Sequence, residues 1–342
     1  MGGRILCVAT RVTEAAASAR GFVALFASLA MGLGLMALPA AAAPFAYVTN
    51  DNDGTVSVID TATSTVVATI PVGSFPGGVA VTPDGTKVYV ANGGSGTISV
   101  IDTATNTVVA TIPVGYTPGA VAVTPDGTKV YVSNNGTSSL FTGGYVSVIH
   151  RPGNTVVKTI PVGMNPGSVA IAPDGTKVYV AIGGFVPSVS AFARPGNTGV
   201  TSIAVGPEPG GIAVTPDGTH LYVVIDSGTV SVIKTATNTV VGLPIPVGNS
   251  PGGVAITPDG TKVYVTNFFS NNVSVIHRPG NAVVKTVPVG GGPAGVAVTP
   301  DGTKVYVTNS SANTVSVIAR PGNTVVATIP VGTRPVGVAI GP

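Results

Sequence analysis

The hydrophobic positions of this chain come in short runs of period two, as in Val79-Ala80-Val81, Val88-Tyr89-Val90, Thr55-Val56-Ser57-Val58-Ile59 and Thr65-Val66-Val67-Ala68-Thr69-Ile70. Such alternation, rich in Val and Ile and bounded by Gly, Pro, Asn and Asp, predicts antiparallel strands; the 3.6-residue patterning of amphipathic helices is absent. We call the four types the a-, b-, c- and d-strands, in the order Val-Ala-Val, Val-Tyr-Val, Val-Ser-Val-Ile and Thr-Val-Val-Ala-Thr-Ile. Between a and b, Thr82-Pro83-Asp84-Gly85-Thr86 predicts a tight hairpin. Pro presets φ, Asp tolerates the bridge region, and Gly85 takes the positive φ that a three-residue loop requires.

The unit returns with little change. Its copies centre on Asp84, Asp126, Asp174, Asp217, Asp259 and Asp301, at successive spacings of 42, 48, 43, 42 and 42 residues. Periods of about 40 to 45 residues belong to four-stranded propeller blades. Seven b-strands carry Tyr47, Tyr89, Tyr131, Tyr179, Tyr222, Tyr264 and Tyr306. The first begins in mid-repeat at Phe45, and the last a-strand, Val336 to Ile340, lacks the b-, c- and d-strands that would follow it. The expected fold is therefore all-β, a seven-bladed β-propeller with four antiparallel strands per blade. Its C-terminal a-strand joins the N-terminal b-, c- and d-strands and closes the ring, which removes the free edges of an open array.

Tyr47-Val48-Thr49-Asn50, Tyr264 to Asn267 and Tyr306 to Asn309 are literal copies of one tetrapeptide, with Ala91-Asn92 and Ser133-Asn134 close variants. On these residues the array from 45 to 342 resembles the YVTN-type β-propeller repeat of secreted and cell-surface proteins. The resemblance implies the fold and leaves activity open, because its relatives include surface-layer-like proteins as well as distant lactonases and lyases and propellers host unrelated functions.

Upstream of the array, Arg4, Arg11 and Arg20 precede an uncharged apolar stretch, Gly21 to Leu38, which ends in Pro39 and four alanines. This pattern predicts a signal peptide over 1–42 with cleavage after Ala42; an uncleaved stretch would serve instead as a membrane anchor. The propeller then occupies 43–342, extracytoplasmic in the periplasm, at the cell surface or secreted, with no membrane insertion after cleavage. Gly 47 and Pro 29 with 8% charged residues resemble low complexity, but 44% hydrophobic residues supply a core. The formal charge of +3 falls to near neutrality once the leader is removed, and no Lys or Arg run or Trp gives a footprint for nucleic acid. Cys7, the sole cysteine, lies in the leader ahead of the apolar stretch.

Antiparallel order places the a–b and c–d turns on one face of the disc and the b–c and d–a loops on the other. The first face repeats Pro-Asp-Gly-Thr and either Thr-Ala-Thr-Asn or Arg-Pro-Gly-Asn, which marks it as scaffold. The second face varies. Its d–a pairs are Ser74-Phe75, Tyr116-Thr117, Met164-Asn165, Pro207-Glu208, Asn249-Ser250, Gly291-Gly292 and Thr333-Arg334, and residues 134–145 hold an insertion with Phe141 and Tyr145. Phe75, Tyr116, Phe141, Tyr145, Phe185, Phe268 and Phe269 all fall there, either as a recognition surface or as filling between blades. With Glu208, Asp226 and Arg334 they are the candidate binding residues.

Chemistry is sparse. Eight of twelve acidic residues outside the leader are turn aspartates or end c-strands; Asp51, Asp53, Glu208 and Asp226 remain, all on the variable face. Asp51-Asn52-Asp53-Gly54 opens like a calcium loop but lacks its later ligands. Glu208 stands between two prolines, a rigid carboxylate that meets either a ligand or solvent. His150, His220 and His277 map to the opposite face. The sequence contains no haem-attachment, zinc or nucleophile-elbow motif. These readings predict no cofactor, no metal and no catalytic residue. They point to a binding scaffold for an unidentified protein or glycan of the cell envelope, with a lactonase-like hydrolase or lyase, metal-dependent in one version, and a purely structural surface protein as alternatives.

Overall fold

The computed structural model describes residues 44–136 and 143–342. The leader over 1–42 and Phe141 lie outside the described residues. Every regular element described is a strand, and the strands form seven antiparallel sheets. In the first blade the a-strand Pro335–Ile340 pairs with Phe45–Asn50, which continues to Thr55–Asp60 and Thr65–Pro71. Ala46 faces Ile340, Tyr47 faces Ala339 and Val48 faces Val338, so the two ends of the array share one sheet. The second to seventh blades begin with the a-strands Pro76–Val81, Pro118–Val123, Pro166–Ile171, Pro209–Val214, Pro251–Ile256 and Pro293–Val298. Each a-strand packs against the a-strand of the next blade around the axis, and the seventh meets the first.

The core lies between blades. Seven apolar clusters occupy the seven interfaces, each holding one b-strand tyrosine with side chains of the following blade: Tyr89 packs with Val121, Val130 and Val132, and Tyr306 packs with Ala46, Val48 and Ile59. All seven tyrosines are at most 2% exposed. Five of their hydroxyls bond the next blade's c–d turn: Tyr89 donates to Asn154 at 2.9 Å, Tyr131 to Asn197 at 2.7 Å and Tyr306 to the Thr61 carbonyl at 3.4 Å. Tyr222 and Tyr264 do the same to Asn281 and Asn323. A buried aromatic with its polar tip satisfied contributes apolar area without leaving an orphaned donor.

Above these tyrosines runs a belt of charge. In four interfaces the arginine of an Arg-Pro-Gly-Asn turn reaches the turn aspartate of the preceding blade, pairing Arg151 with Asp84, Arg194 with Asp126, Arg278 with Asp217 and Arg320 with Asp259 at 2.7 to 3.4 Å. Arg194 and Arg278 also lie over the rings of Tyr131 and Tyr222, 5.8 and 6.0 Å from the centroids. Where the next turn begins Thr-Ala-Thr, a lysine takes over: Lys177 donates to the Thr235 carbonyl at 2.8 Å and Lys304 to that of Thr61 at 2.5 Å.

The remaining repeat residues serve the inner ring. Each a-strand carries a bulge against its b-strand partner, as between Pro251 and Val254. The threonine of Tyr-Val-Thr-Asn fills the gap: Thr266 Oγ1 accepts from Gly253 N at 2.8 Å and donates to the Ala294 carbonyl of the next blade at 2.7 Å. Thr308 and Thr49 repeat this arrangement. Neighbouring a-strands come so close there that a Cβ on Gly211 or Gly253 would sit 2.5 Å from the carbonyl oxygen of Gly252 or Ala294. The turn glycines, Gly85 among them at φ 68°, adopt the left-handed conformation the hairpin required.

The fifth blade departs from the expected pattern. Its outer strand is broken into Thr239–Val240 and Ile245–Pro246. The sequence Val240-Val241-Gly242-Leu243-Pro244 is one residue longer than the repeat; Gly242 turns at φ 72°, Pro244 has no N–H for the ladder, and Leu243 is expelled to 88% exposure. Val338 and Ile340 are half-buried, because the a-strands face the axial channel as well as the core.

Two outcomes are expected. Deleting residues 336–342 removes most of the pairing with Phe45–Asn50 and strongly lowers the melting temperature; a truncated protein that melts like the full chain would refute ring closure. The second concerns pH. The Thr82 hydroxyl and then Arg151 hold the Asp84 carboxyl far below the usual carboxylate range, and the Thr124 hydroxyl with the Thr128 amide does so for Asp126. A depressed folded-state pKa gives stability that is complete above the unfolded value of about 4 and is lost as pH falls below it toward the folded value. The melting temperature should therefore fall steadily below about pH 4, and Asp84→Asn with Asp126→Asn should flatten that slope in a calorimetric pH series.

Candidate functional site

The d–a loops rise on the face opposite the Asp-Gly hairpins and surround the mouth of the axial channel. In all seven, the second residue of the variable pair takes a left-handed backbone: Phe75, Thr117, Asn165, Glu208, Ser250, Gly292 and Arg334 have φ between 46° and 63°. Only one is glycine. Turning the chain this way aims the carbonyl at the b–c loop of the same blade. Phe75 O accepts from Gly93 N at 2.9 Å, Ser250 O from Phe268 N at 2.9 Å and Arg334 O from Asp51 N at 3.0 Å, with equivalents at Asn165, Glu208 and Gly292.

Polar side chains of the b–c loops complete the clamp. Ser95 Oγ accepts from Ser74 N and Ser270 Oγ from Asn249 N, both at 2.8 Å. Asn271 holds Gly292 N at 3.0 Å and Asn313 holds Arg334 N at 2.9 Å. Asp53 belongs to this set, since its Oδ2 accepts from Thr333 N at 2.6 Å. Asp51 accepts from Arg334 Nη1 at 2.8 Å. Both carboxylates of the Asp51-Asn52-Asp53-Gly54 segment thus tie down the loop that precedes the closing a-strand. Among the described residues no three His, Cys, Asp or Glu side chains gather closely enough to hold a metal ion.

The mouth is a cavity of about 540 Å³. Its wall is mostly a-strand backbone with the small residues Gly, Ala and Ser, and Asp226, Ser250 and Phe268 project at its rim. Further along the axis the channel narrows to about 190 Å³, ringed by residue pairs from all seven blades such as Gly78-Val79 and Gly211-Ile212.

The sequence-derived candidates divide into groups. Glu208, Asp226, Phe268 and Phe269 come together at the fifth and sixth blades: Asp226 N donates to the Glu208 carbonyl at 3.3 Å, Asp226 Oδ1 accepts from Ser250 Oγ at 2.7 Å, and the two phenyl rings meet edge to face at 5.2 Å. Phe75 is 57% exposed beside Gly94, and Tyr116 is 59% exposed in the next d–a loop. Tyr145 is half-buried over Gly115, its hydroxyl donating to the Val114 carbonyl at 3.3 Å, so it fills an interface between the second and third blades. Phe185, 88% exposed, borders a separate groove of about 480 Å³ with Met164, Val186 and Val200. Arg334 lies at the first blade on Asp51. Sequence reasoning passed over Ser250, which joins Asp226 to Phe268, and the loop-capping Ser95, Ser270, Asn271 and Asn313. The signal was a Ser or Asn three or four residues after the b-strand in three of the blades.

Residues 15–139 and 255–340 match the family model described as YNCE-like beta-propeller. None of the curated proteins matches the chain. Among solved structures, hydrazine synthase of Kuenenia stuttgartiensis is similar with a TM-score of 0.73 and 23% identity, over 80% of this chain and 92% of that one. A functionally unknown protein from Desulfotomaculum acetoxidans DSM 771 is similar at TM-score 0.75 and 20% identity, over 87% and 98% of the two chains. Dihydro-heme d1 dehydrogenase NirN in complex with DHE is similar at TM-score 0.63 and 19% identity, over 83% and 63%. At such identities these likenesses speak for the propeller fold alone. With more than half of its length matched by the family model, and with seven blades built from one repeat, the chain belongs to the YNCE-like beta-propeller family.

Proposed function

We propose that this chain is an exported binding scaffold that holds a protein or glycan of the cell envelope against the loop face around the channel mouth. The observation that carries the reading is the set of six residues other than glycine held in the left-handed conformation there. A left-handed backbone costs a residue with a Cβ about 1–2 kcal/mol, less for asparagine. Five of the six side chains are exposed, so the fold gains little packing from them. The c–d turns of the opposite face place the same conformation on Ser64 and six asparagines, whereas the d–a loops impose it on Phe75, Thr117, Glu208 and Arg334. Such a costly choice at exposed, variable positions fits a surface kept for contact with something else. Asp51 and Asp53 are engaged with Arg334 and the Thr333 amide, which fits a positioning role for these carboxylates. The apolar stretch after three arginines in the leader supports export.

Two measurements test this. Phe75→Gly relieves the backbone and should raise stability by about 1 kcal/mol in denaturant unfolding, while weakening partner capture. Replacing Phe268 and Phe269 with serine should abolish capture of a partner from an envelope extract by the immobilised ring, with little change in melting temperature. Capture at wild-type strength by both variants would sink the proposal.

A further inference from the structure

We propose that the channel mouth at the fifth and sixth blades receives a lysine or arginine side chain from a basic peptide segment of the partner, an inference that rests on the loop face being a binding surface. Three independent features converge there. The first is shape. The cavity of about 540 Å³ is lined mainly by Gly, Ala and Ser, with Pro251, Pro293 and Val336 as its larger aliphatic members, which leaves room for a long slender side chain.

The second is local chemistry. Ser250 Oγ holds Asp226 Oδ1 at 2.7 Å and fixes the carboxylate at the rim, with Oδ2 left to face the cavity or solvent. Glu208 is the neighbouring loop residue, linked through its carbonyl to the Asp226 amide. Phe268 lines the same rim, braced edge to face by Phe269. A carboxylate and an aromatic ring lining one cavity supply the two groups that recognise an ammonium or guanidinium, through a charge-assisted hydrogen bond and the ring quadrupole.

The third is the distribution of charge over the whole disc. The hairpin face carries Lys87, Lys129, Lys158, Lys177, Lys234, Lys262, Lys285, Lys304 and four arginines against eight aspartates. The loop face carries Asp51, Asp53, Glu208 and Asp226 against Arg334, which Asp51 already engages. A near-neutral propeller is thus polarised along its axis, basic at one end and acidic at the other. Such a field orients a basic segment toward the loop face and disfavours its approach from the opposite side.

The test uses the full chain and a fluorescent lysine–serine repeat peptide, followed by anisotropy, with a glutamate–serine peptide as its counterpart. Saturable binding of the lysine peptide alone is expected, weakening as salt rises. Asp226→Asn with Glu208→Gln should weaken it on the order of tenfold, and Asp174→Asn on the hairpin face should leave it unchanged. Equal binding of both peptides, or an unaltered affinity in the double variant, would overturn the inference. So would spermidine competing as strongly as the peptide, which would make the mouth a polyamine site. A partner captured through Phe268 and Phe269 but indifferent to salt and to the double variant would overturn this inference and leave the scaffold reading standing.

Discussion

The ring depends on one contact made seven times: a tyrosine in the middle of each b-strand, buried against the following blade. The described propeller contains no cysteine and few charges, so nothing covalent joins one blade to the next beyond the chain itself. A tyrosine buries roughly 150–250 Å², more than any other side chain available to this repeat. Because its ring lies in the interface, its hydroxyl needs a partner there, and in four interfaces the asparagine at the end of the next c–d turn supplies it, while Tyr306 donates to the Thr61 carbonyl. That asparagine sits at φ near 50° whether or not the bond forms, as at Asn154 and at Asn238, so the turn of one blade presents its side chain to the ring of another without depending on it. Tyr179 is an exception. Its hydroxyl has no partner in the interface, and burial pushes its pKa up to about 12.

This requirement divides the disc into two unlike faces. On the hairpin face, the tyrosine tips, the arginines above them and the turn aspartates form one connected layer, so a change in any turn disturbs the neighbouring interface. Exposed ion pairs contribute only about 0–1 kcal/mol, but here each guanidinium also donates to a turn carbonyl, as Arg194 does to Gly175 at 2.8 Å. The belt therefore fixes blade spacing more than it adds stability. On the loop side the repeated bonds stop at the buried asparagines that end the b-strands, such as Asn92, which bonds Ser99 and the Gly73 amide, and beyond them variation is tolerated.

Much of the fold was legible in the sequence because it rests on period and turn chemistry. Spacing of the aspartates set the blade count, the half-repeats at either end predicted closure, and Gly85 and its equivalents had to turn left-handed. Even the broken outer strand of the fifth blade had a trace in the single extra residue around Leu243-Pro244. The candidate site was less legible. Asp226, Ser250 and Phe268 belong to different loops and meet only because the d–a loop of the sixth blade lies beside the b–c loop of the fifth. Nothing in spacing separates Tyr145, which plugs an interface, from Phe269, which faces solvent at 73% exposure. Both are aromatic departures from the same repeat, and the difference lies in Gly115, which leaves room for one ring over its backbone.

The left-handed residue in every d–a loop shows how one scaffold can carry changeable chemistry. In six of the seven its carbonyl accepts from an amide of the b–c loop, and in four a Ser, Asn or Asp of that loop or of the preceding blade's b–c loop holds an amide of the d–a loop. Backbone groups thus set the path of the loop, and the side chain at the left-handed position only adds to this where it is Ser250 or Arg334, which bond Asp226 and Asp51. Phenylalanine, threonine, asparagine, glutamate, serine, glycine and arginine consequently occupy equivalent positions around one channel without altering the path of the chain. What each substitution changes is the charge and shape presented at the mouth. Glycine alone would relieve the strain, and six of the seven positions keep a side chain instead. The repeat therefore supplies the frame, and these departures from it, opposite the hairpins, supply whatever selectivity the face has.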